Sequence, residues 1–186
     1  MSQKSINKRI SKDQWLEAAL DALESEGVQG VRIEGLARTL SISKSGFYWH
    51  FRNREDLLRQ MLEYWEYAFT DVVMKSLSQS TLPARERLME AMQMVESHKL
   101  GKFDLSIRSW AIHDPKVMKI LKRVDRKRLE FIKALLAESG LRGEDLEARA
   151  RLMMVFNSSV HTIHLGVPKK DYSKLLERCN QFLLEQ

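Results

Sequence analysis

The sequence has little cysteine or proline and no long apolar run. Its single cysteine, Cys179, excludes an internal disulfide framework and fits a reducing compartment. No apolar stretch approaches the roughly 20 residues that a membrane-spanning helix needs, and the polar start has no signal-peptide core. We therefore expect a cytoplasmic protein that does not enter a membrane.

Strand patterns are also missing. No segment shows the alternation of apolar and polar residues, bounded by turn signals, that half-buried strands require. Apolar residues recur instead at spacings of three and four, and most of the eight glycines and three prolines fall between these periodic segments. The 186-residue chain is long enough for a sizeable core. The sequence predicts an all-α fold of about nine helices.

The net charge of +6 is mildly basic, and its distribution is more informative than its size. One basic group precedes any acidic residue, and a second clusters around residues 33–51. Such groups can neutralise nucleic-acid phosphates. The first group contains Lys4, Lys8, Arg9 and Lys12, and the second contains Lys44, Arg52, Arg54 and Arg59.

The segment 33–51 has the pattern of two short helices joined by a three-residue turn. Its first part places apolar residues such as Leu36 and Ala37 on one helical face. Ser43 is predicted to cap the second helix with its hydroxyl, and Phe47 and Phe51 are predicted to anchor that helix. A helix-turn-helix of this kind inserts its second helix into the DNA major groove.

Helix signals flank this motif on both sides. Ser11 and Gln14 have the spacing of a capping box, and Gly27 is suited to end the helix that they begin. Asn53 is predicted to cap a helix that continues to about residue 77. The sequence therefore predicts a helix-turn-helix DNA-binding domain over 1–55 and a second helical domain over 56–186.

Residues 11–62 resemble the TetR-type (tetracycline-repressor) family of transcriptional regulators. The resemblance is carried by the helix order, the position of Ala37, the turn and the run from Phe47 to Arg54. It implies an N-terminal domain that binds operator DNA as a homodimer, and C-terminal helices that bind a small inducer and dimerise through the last two. Ser41 departs from the glycine usual in the turn, and Gly46 from the usual threonine, serine or alanine.

The resemblance also implies which residues contact DNA. Lys44, Ser45 and Gly46 would face base edges or nearby phosphates. Tyr48 and His50 would donate to phosphates, and Trp49 would contact the DNA. Arg54 would hold a phosphate with help from a helix N-terminus. A solvated helical hairpin is the alternative, but aromatic donors among basic residues favour DNA contact. The set is Lys44, Ser45, Gly46, Tyr48, Trp49, His50 and Arg54.

Large apolar residues of the C-terminal part are candidates for an effector pocket. Methionine tolerates irregular ligand shapes, which suits such a site. For any one of these residues, ordinary core packing is the better interpretation. The candidates are Trp65, Phe69, Met92, Phe103, Trp110 and Phe131.

The last two helices carry more apolar surface than a terminal pair normally exposes, which predicts an isologous dimer interface. His161 and His164 have a spacing that permits shared metal ligation, but no further ligand completes a site, so polar groups at the interface are favoured. The sequence predicts no metal and no cofactor. The predicted interface residues are Met153, Asn157, Val160, Cys179 and Phe182.

The seventh predicted helix is capped by Asp114 and started by Pro115, and it has a strongly basic polar face. It could bind an anionic ligand or DNA, but a solvated face is favoured because long basic side chains extend their charges into water. Arg108 and Asp125 could instead form a buried pair. The basic residues are Lys116, Lys119, Lys122, Arg123, Arg126, Lys127 and Arg128.

Motifs of enzymes are missing: there is no nucleophile elbow, glycine-rich phosphate loop or metal triad. This absence argues against an enzyme, and the helix-turn-helix with its family resemblance leads us to expect a ligand-responsive transcriptional repressor. It would bind a palindromic double-stranded DNA operator as a homodimer and be released by a small-molecule effector. The alternative is a helical ligand-binding protein or enzyme that keeps its helix-turn-helix only as scaffold.

Overall fold

The computed structural model describes residues 10–97, 101–159, 163 and 166–184, and all regular elements within them are helical. The predicted all-α fold is confirmed. The chain divides into two compact units, one ending at Trp65 and the other beginning at Glu66. The α-helices are α1 (Lys12–Glu26), α2 (Ile33–Thr39), α3 (Arg54–Glu66), α4 (Val72–Gln79), α5 (Ala84–Ser97), α6 (Asp104–His113), α7 (Pro115–Glu138), α8 (Gly143–Ser159) and α9 (Lys169–Leu184).

Helix α1 begins and ends where its sequence signals place it. The Gln14 backbone nitrogen donates to the Ser11 hydroxyl at 3.3 Å, and the Ser11 backbone nitrogen donates to the Gln14 side-chain oxygen at 2.9 Å. The predicted capping box is thus confirmed. Gly27 ends the helix with φ of +71°, a conformation that glycine adopts without strain. Between these ends, Trp15, Leu20 and other apolar residues are buried in the first unit.

Most of α3 belongs to the first unit, so the division lies ten residues beyond the predicted one at residue 55. Leu57, Met61 and Leu62 are buried, and the Tyr64 hydroxyl donates to Glu17 of α1 at 2.9 Å. The side chain of Asn53 accepts from the Asp56 nitrogen at 2.9 Å, which confirms the predicted cap.

Asp56 should contribute to the acid stability of the first unit. Its carboxylate accepts from the Arg52 backbone nitrogen at 3.0 Å, and this bond is the largest of those that lower its pKa from 3.8 to about 2. A depressed pKa stabilises the fold above about pH 4, and that contribution is lost as the pH falls to about 2. Asp56→Asn should therefore flatten the pH dependence of the free energy of unfolding between these values.

Denaturant titrations at several pH values between 2 and 5 would check this expectation. Asp145→Asn, in the first turn of α8, is a control for the loss of one carboxylate. Equal pH slopes in the Asp56 variant and the wild type would contradict the assigned role.

The second unit has a core where α5, α7, α8 and the end of α9 pack together. Its buried residues include Leu88, Leu135, Met153 and Leu184. The predicted start of α7 is confirmed, because the Asp114 carboxylate accepts from the Lys116 nitrogen at 2.9 Å and Pro115 occupies the first turn. Helix α8 is observed over Gly143–Ser159, and most of residues 160–165, where the sequence also predicts helix, lie outside the described residues.

A π-helical turn, Tyr67–Asp71, separates α3 from α4, where the sequence predicted one continuous helix. Ion pairs from α7 hold both ends of this turn. The Glu66 carboxylate accepts from Arg123 and from Lys127, and Lys127 also donates to Asp71 at 2.8 Å. The bond from Arg123 is the first cause of the lowered pKa of Glu66, against a desolvation that raises it.

These contacts correct the prediction of a solvated basic face on α7. Arg123 and Lys127 pair with acidic residues at the π-helical turn, whereas Lys119, Lys122 and Arg126 are exposed as expected. Periodicity shows which residues share a face but not which acidic side chains a neighbouring segment brings to it. Arg108 and Asp125, offered above as a possible buried pair, do pair through two bonds of 2.6 and 2.8 Å, but both side chains are about 30% exposed.

Candidate nucleic-acid interface and ligand cavity

The second helix of the motif is a six-residue 3₁₀ helix, Lys44–Trp49, here called the reader helix. The buried Phe47 ring fixes it to the first unit by edge contact with Trp15, at a centroid distance of 5.5 Å, and by packing on Phe51 at 5.1 Å. Phe47 and Phe51 are thus the predicted anchors. Because a 3₁₀ helix has three residues per turn, the two residues after Phe47 point away from this core.

Those two residues, Tyr48 and Trp49, are exposed by 62% and 84%. Large aromatic side chains normally bury most of their surface, so two adjacent exposed rings indicate a contact surface. Their donor groups suit hydrogen bonds to phosphates, and their ring edges suit the apolar parts of a groove.

Lys44, at the start of the reader helix, pairs with Glu34 of α2 at 2.5 Å, with both side chains more than half exposed. The bond from Lys44 is the first cause of the lowered pKa of Glu34. Sequence reasoning missed Glu34, which lies ten residues earlier. Ser43 occupies the predicted N-cap position, but the predicted bond is not formed: its hydroxyl bonds the Ser45 hydroxyl at 2.7 Å and makes no bond to a helix nitrogen.

His50 and Arg54, predicted to contact phosphates, also hold the first unit together. The His50 Nε2 atom lies 3.1 Å from the Ile10 carbonyl oxygen. The Arg54 guanidinium donates from Nε to the Val31 carbonyl at 2.6 Å and from Nη2 to the Val28 carbonyl. Arg54 therefore ties the α1–α2 connection to α3, and its phosphate contact remains a prediction.

Both departures from the family pattern have visible geometry. Ser41 has φ of +57°, a left-handed conformation that L residues other than glycine rarely adopt. At Gly46, an added Cβ would lie 3.3 Å from the Ile42 Cδ1 atom, so a larger residue would need a small shift of Ile42. Gly46 therefore presents no side chain on the reader helix beside the exposed rings.

The second unit contains an apolar cavity that includes part of the predicted pocket. Phe69, Met92 and Phe131 line it, together with Met74 and Met154, which the sequence prediction did not include. The remaining lining residues are Thr70, Val73, Leu77, Leu88, Ala91, Val95, Gly101, Asp104, Arg128, Ile132, Asn157 and Ser158.

The other three predicted pocket residues lie elsewhere. Trp65 is fully buried and belongs to the first unit. Phe103 is buried and contacts Phe69 edge-on at a centroid distance of 5.3 Å, so it supports a lining residue from behind. Trp110 is half-buried on α6 and is not a lining residue.

One ion pair lies at the polar end of the cavity. The Arg128 guanidinium donates from Nη1 and Nη2 to the buried Asp104 carboxylate and from Nε to the Thr70 hydroxyl at 3.0 Å. Asn157 lines this cavity and donates from Nδ2 to the Met153 carbonyl at 2.8 Å, and its place at a dimer interface stays a prediction.

The other predicted interface residues are divided between core and surface. Met153 is fully buried in the second unit, because the helical repeat turns Leu152 and Val155 outward in its place. Cys179 is half-buried and Phe182 is exposed. A shallow apolar groove on α8 and α9 is lined by Leu152, Phe156, Arg178, Cys179, Phe182 and Leu183.

Two predicted features fall outside the described residues: Val160 at the interface, and the pair His161 and His164. Among the residues that are described, no group of three or more histidine, cysteine or acidic side chains is placed to hold a metal ion. The described helices also include none that is long and apolar enough to cross a membrane.

The fold and the exposed reader helix define a helix-turn-helix protein of the DNA-binding class. Residues 16–61 match the sequence model described as bacterial regulatory proteins, tetR family. Over 55 residues, 30% of this chain, the sequence is 38% identical to the tetracycline repressor protein class E of Escherichia coli. Residues 16–61 of this chain are thus similar to the helix-turn-helix part of that family. The chain spans about a quarter of that relative's length (26%).

Solved structures extend the likeness of fold to nearly the whole chain. A TetR transcriptional regulator from Legionella pneumophila matches with a TM-score of 0.78 at 15% identity, covering 97% of this chain and all of that one. FadR from Bacillus subtilis, solved in complex with stearoyl-CoA, matches with a TM-score of 0.70 at 16% identity over 94% and 98% of the two chains. The second unit thus has the fold of such regulators.

Proposed function

We propose that this protein is a ligand-responsive transcriptional repressor that binds a palindromic operator as a homodimer and is released by a small-molecule effector. The observation that carries the proposal is the pair of exposed rings, Tyr48 and Trp49, on a reader helix anchored by buried Phe47. The tetR-family match over residues 16–61 supports it, and so does a cavity in the second unit. The relatives and solved structures compared above are regulators, which favours a regulator over an enzyme.

Operator binding and release place one requirement on the spacing of the dimer and one on the affinity of the effector. The two reader helices of a dimer need to lie about 34–36 Å apart to enter successive major grooves on one face of DNA. An effector releases the operator only if it binds the DNA-incompetent state more tightly than the competent one.

Selection of bound duplexes from a random-sequence library at near-physiological salt tests the proposal. We expect enrichment of a two-fold-symmetric site whose half-sites are about one helical turn apart. A folded sample that enriches no sequence would contradict operator binding and favour a scaffold-only helix-turn-helix.

Glu34 should restrain non-specific DNA binding, because its carboxylate pairs with Lys44 beside the reader helix. Glu34→Gln should release Lys44 to a phosphate, raise affinity for random duplexes several-fold and steepen the log–log salt dependence by about 0.9. Preference for the operator over random DNA should fall. Fluorescence anisotropy titrations at several salt concentrations would measure all three quantities.

Glu144→Gln in the first turn of α8 is a control with the same change in net charge. It should leave affinity and salt dependence unchanged. Identical salt slopes for the Glu34 variant and the wild type would show that Lys44 gains no phosphate contact.

Leu152→Asp should dissociate the proposed dimer, because the α8–α9 groove would meet its own copy and place two carboxylates in one apolar interface. We expect at least a hundredfold weaker dimerisation by sedimentation velocity. Leu105→Asp on α6 is a matched control, since both leucines are 56% exposed. If the Leu152 variant kept the wild-type mass, the dimer interface would lie elsewhere.

A further inference from the structure

We propose that the cavity of the second unit selects an uncharged amphipathic effector over an anionic or cationic one. This inference rests on the proposed function, in which that cavity holds the effector. The observation behind it is the ion pair between Arg128 and Asp104, which brings both charges of the cavity together.

The ionisable residues that line the cavity balance each other in charge. Among the described residues that line the cavity, Arg128 and Asp104 are the two ionisable ones. Their charges cancel, so the site offers no net attraction to a ligand of either sign. The rest of the lining is apolar or carries neutral hydroxyl and amide groups, such as those of Asn157 and Ser158.

Bonds within the cavity lining hold the Arg128 guanidinium in place. The guanidinium of Arg128 directs Nη1 and Nη2 at Asp104 and Nε at Thr70. The two paired side chains are only 19% and 7% exposed. A ligand carboxylate would need to take Arg128 from Asp104, and the buried Asp104 carboxylate would lose the two bonds that the guanidinium donates. A ligand ammonium would need the converse, and either exchange is costly where water is largely excluded.

The remaining lining fits a neutral ligand with a large apolar part. Met74, Met92 and Met154 are flexible and polarisable, so they adapt to irregular apolar shapes. The Thr70 hydroxyl and the Asn157 amide can bond a hydroxyl, carbonyl or amide group of the ligand. Breaking the Arg128–Asp104 pair is unnecessary for such a ligand, which explains the expected selectivity.

Three probes with the same eight-carbon chain test the inference: 1-octanol, octanoate and octyltrimethylammonium. Isothermal titration calorimetry of the full chain without DNA should give 1-octanol a Kd at least tenfold lower than either charged probe. Equal or tighter binding of a charged probe would overturn the inference. So would the failure of all three to bind.

A variant then tests whether the ion pair sets the selectivity. Asp104→Asn removes the partner of Arg128, and we expect octanoate to gain at least tenfold in affinity and to bind more tightly than 1-octanol. Asp145→Asn is a control with the same change in net charge, because Asp145 is exposed in the first turn of α8 and does not line the cavity. An unchanged order of affinities in a folded Asp104 variant would overturn the role of the pair, and the wild-type series alone decides the matter if that variant does not fold.

Failure of this inference and failure of the proposed function give different results. Enrichment of an operator without selective binding of 1-octanol would overturn the ligand class and leave DNA binding intact. Selective 1-octanol binding by a protein that enriches no operator would support the ligand class of the cavity while contradicting the regulator.

Discussion

A double variant, Tyr48→Ala and Trp49→Ala, should lose most of its affinity for operator DNA while keeping its thermal stability. Each ring is largely exposed, so its removal costs little packing in the first unit. Hydrogen bonds to charged groups contribute roughly 1.5–3 kcal/mol. Allowing about 1–2 kcal/mol for each of two exposed contacts, we expect the Kd to rise roughly 30- to 700-fold.

Anisotropy titration with the selected operator, together with thermal unfolding, would measure both halves of this expectation. Tyr67→Ala is a close control, because Tyr67 is as exposed as Tyr48 at 62% but lies at the start of the π-helical turn. It should leave the Kd unchanged. Wild-type affinity in the double variant would remove the reader helix from the DNA interface.

Phe47→Ala should unfold the first unit under mild conditions. Its ring is fully buried between Trp15 and Phe51, and phenylalanine-to-alanine changes in cores typically cost about 3–5 kcal/mol. Since most domains are stable by only about 5–15 kcal/mol, this loss is a large share of the total. DNA binding should fall because the reader helix loses its attachment.

Denaturant unfolding followed by tryptophan fluorescence would measure the loss, with Trp15 reporting directly on the damaged contact. Trp49→Ala removes a larger ring two residues away and should cost less than about 1 kcal/mol, since that ring is exposed. Phe47→Leu should recover part of the lost stability by filling some of the space. A Phe47→Ala variant as stable as Trp49→Ala would show that the ring is not a structural anchor.

The sequence predicted the features of this fold that depend on neighbouring residues. The Ser11–Gln14 capping box, the Asn53 cap and the Asp114–Pro115 start of α7 are each formed within four residues, so their signals are local. The 3₁₀ reader helix and the π-helical turn escaped the same reasoning. Helices of these types differ from an α-helix by a shift of one residue in the hydrogen-bond partner, which composition does not reveal.

Contacts between residues that are distant in the sequence were mostly not predicted. The Glu34–Lys44 pair and the contacts of Arg54 with the Val28 and Val31 carbonyls depend on how helices pack. The cavity shows the same division. Phe69, Met92 and Phe131 were predicted from residue type, but the Arg128–Asp104 pair that gives the cavity its polar character joins residues 24 apart.

The backbone at Ser41, in the turn of the motif, is strained, and relieving this strain would add stability to the first unit. A residue with a Cβ pays about 1–2 kcal/mol for the left-handed conformation seen there, at φ of +57°. Glycine would avoid that cost but would add about 0.4–1 kcal/mol of freedom to the unfolded chain. The first term is the larger, so the balance favours glycine. A Ser41→Gly exchange should therefore stabilise the first unit slightly and partly compensate a destabilising substitution elsewhere in that unit.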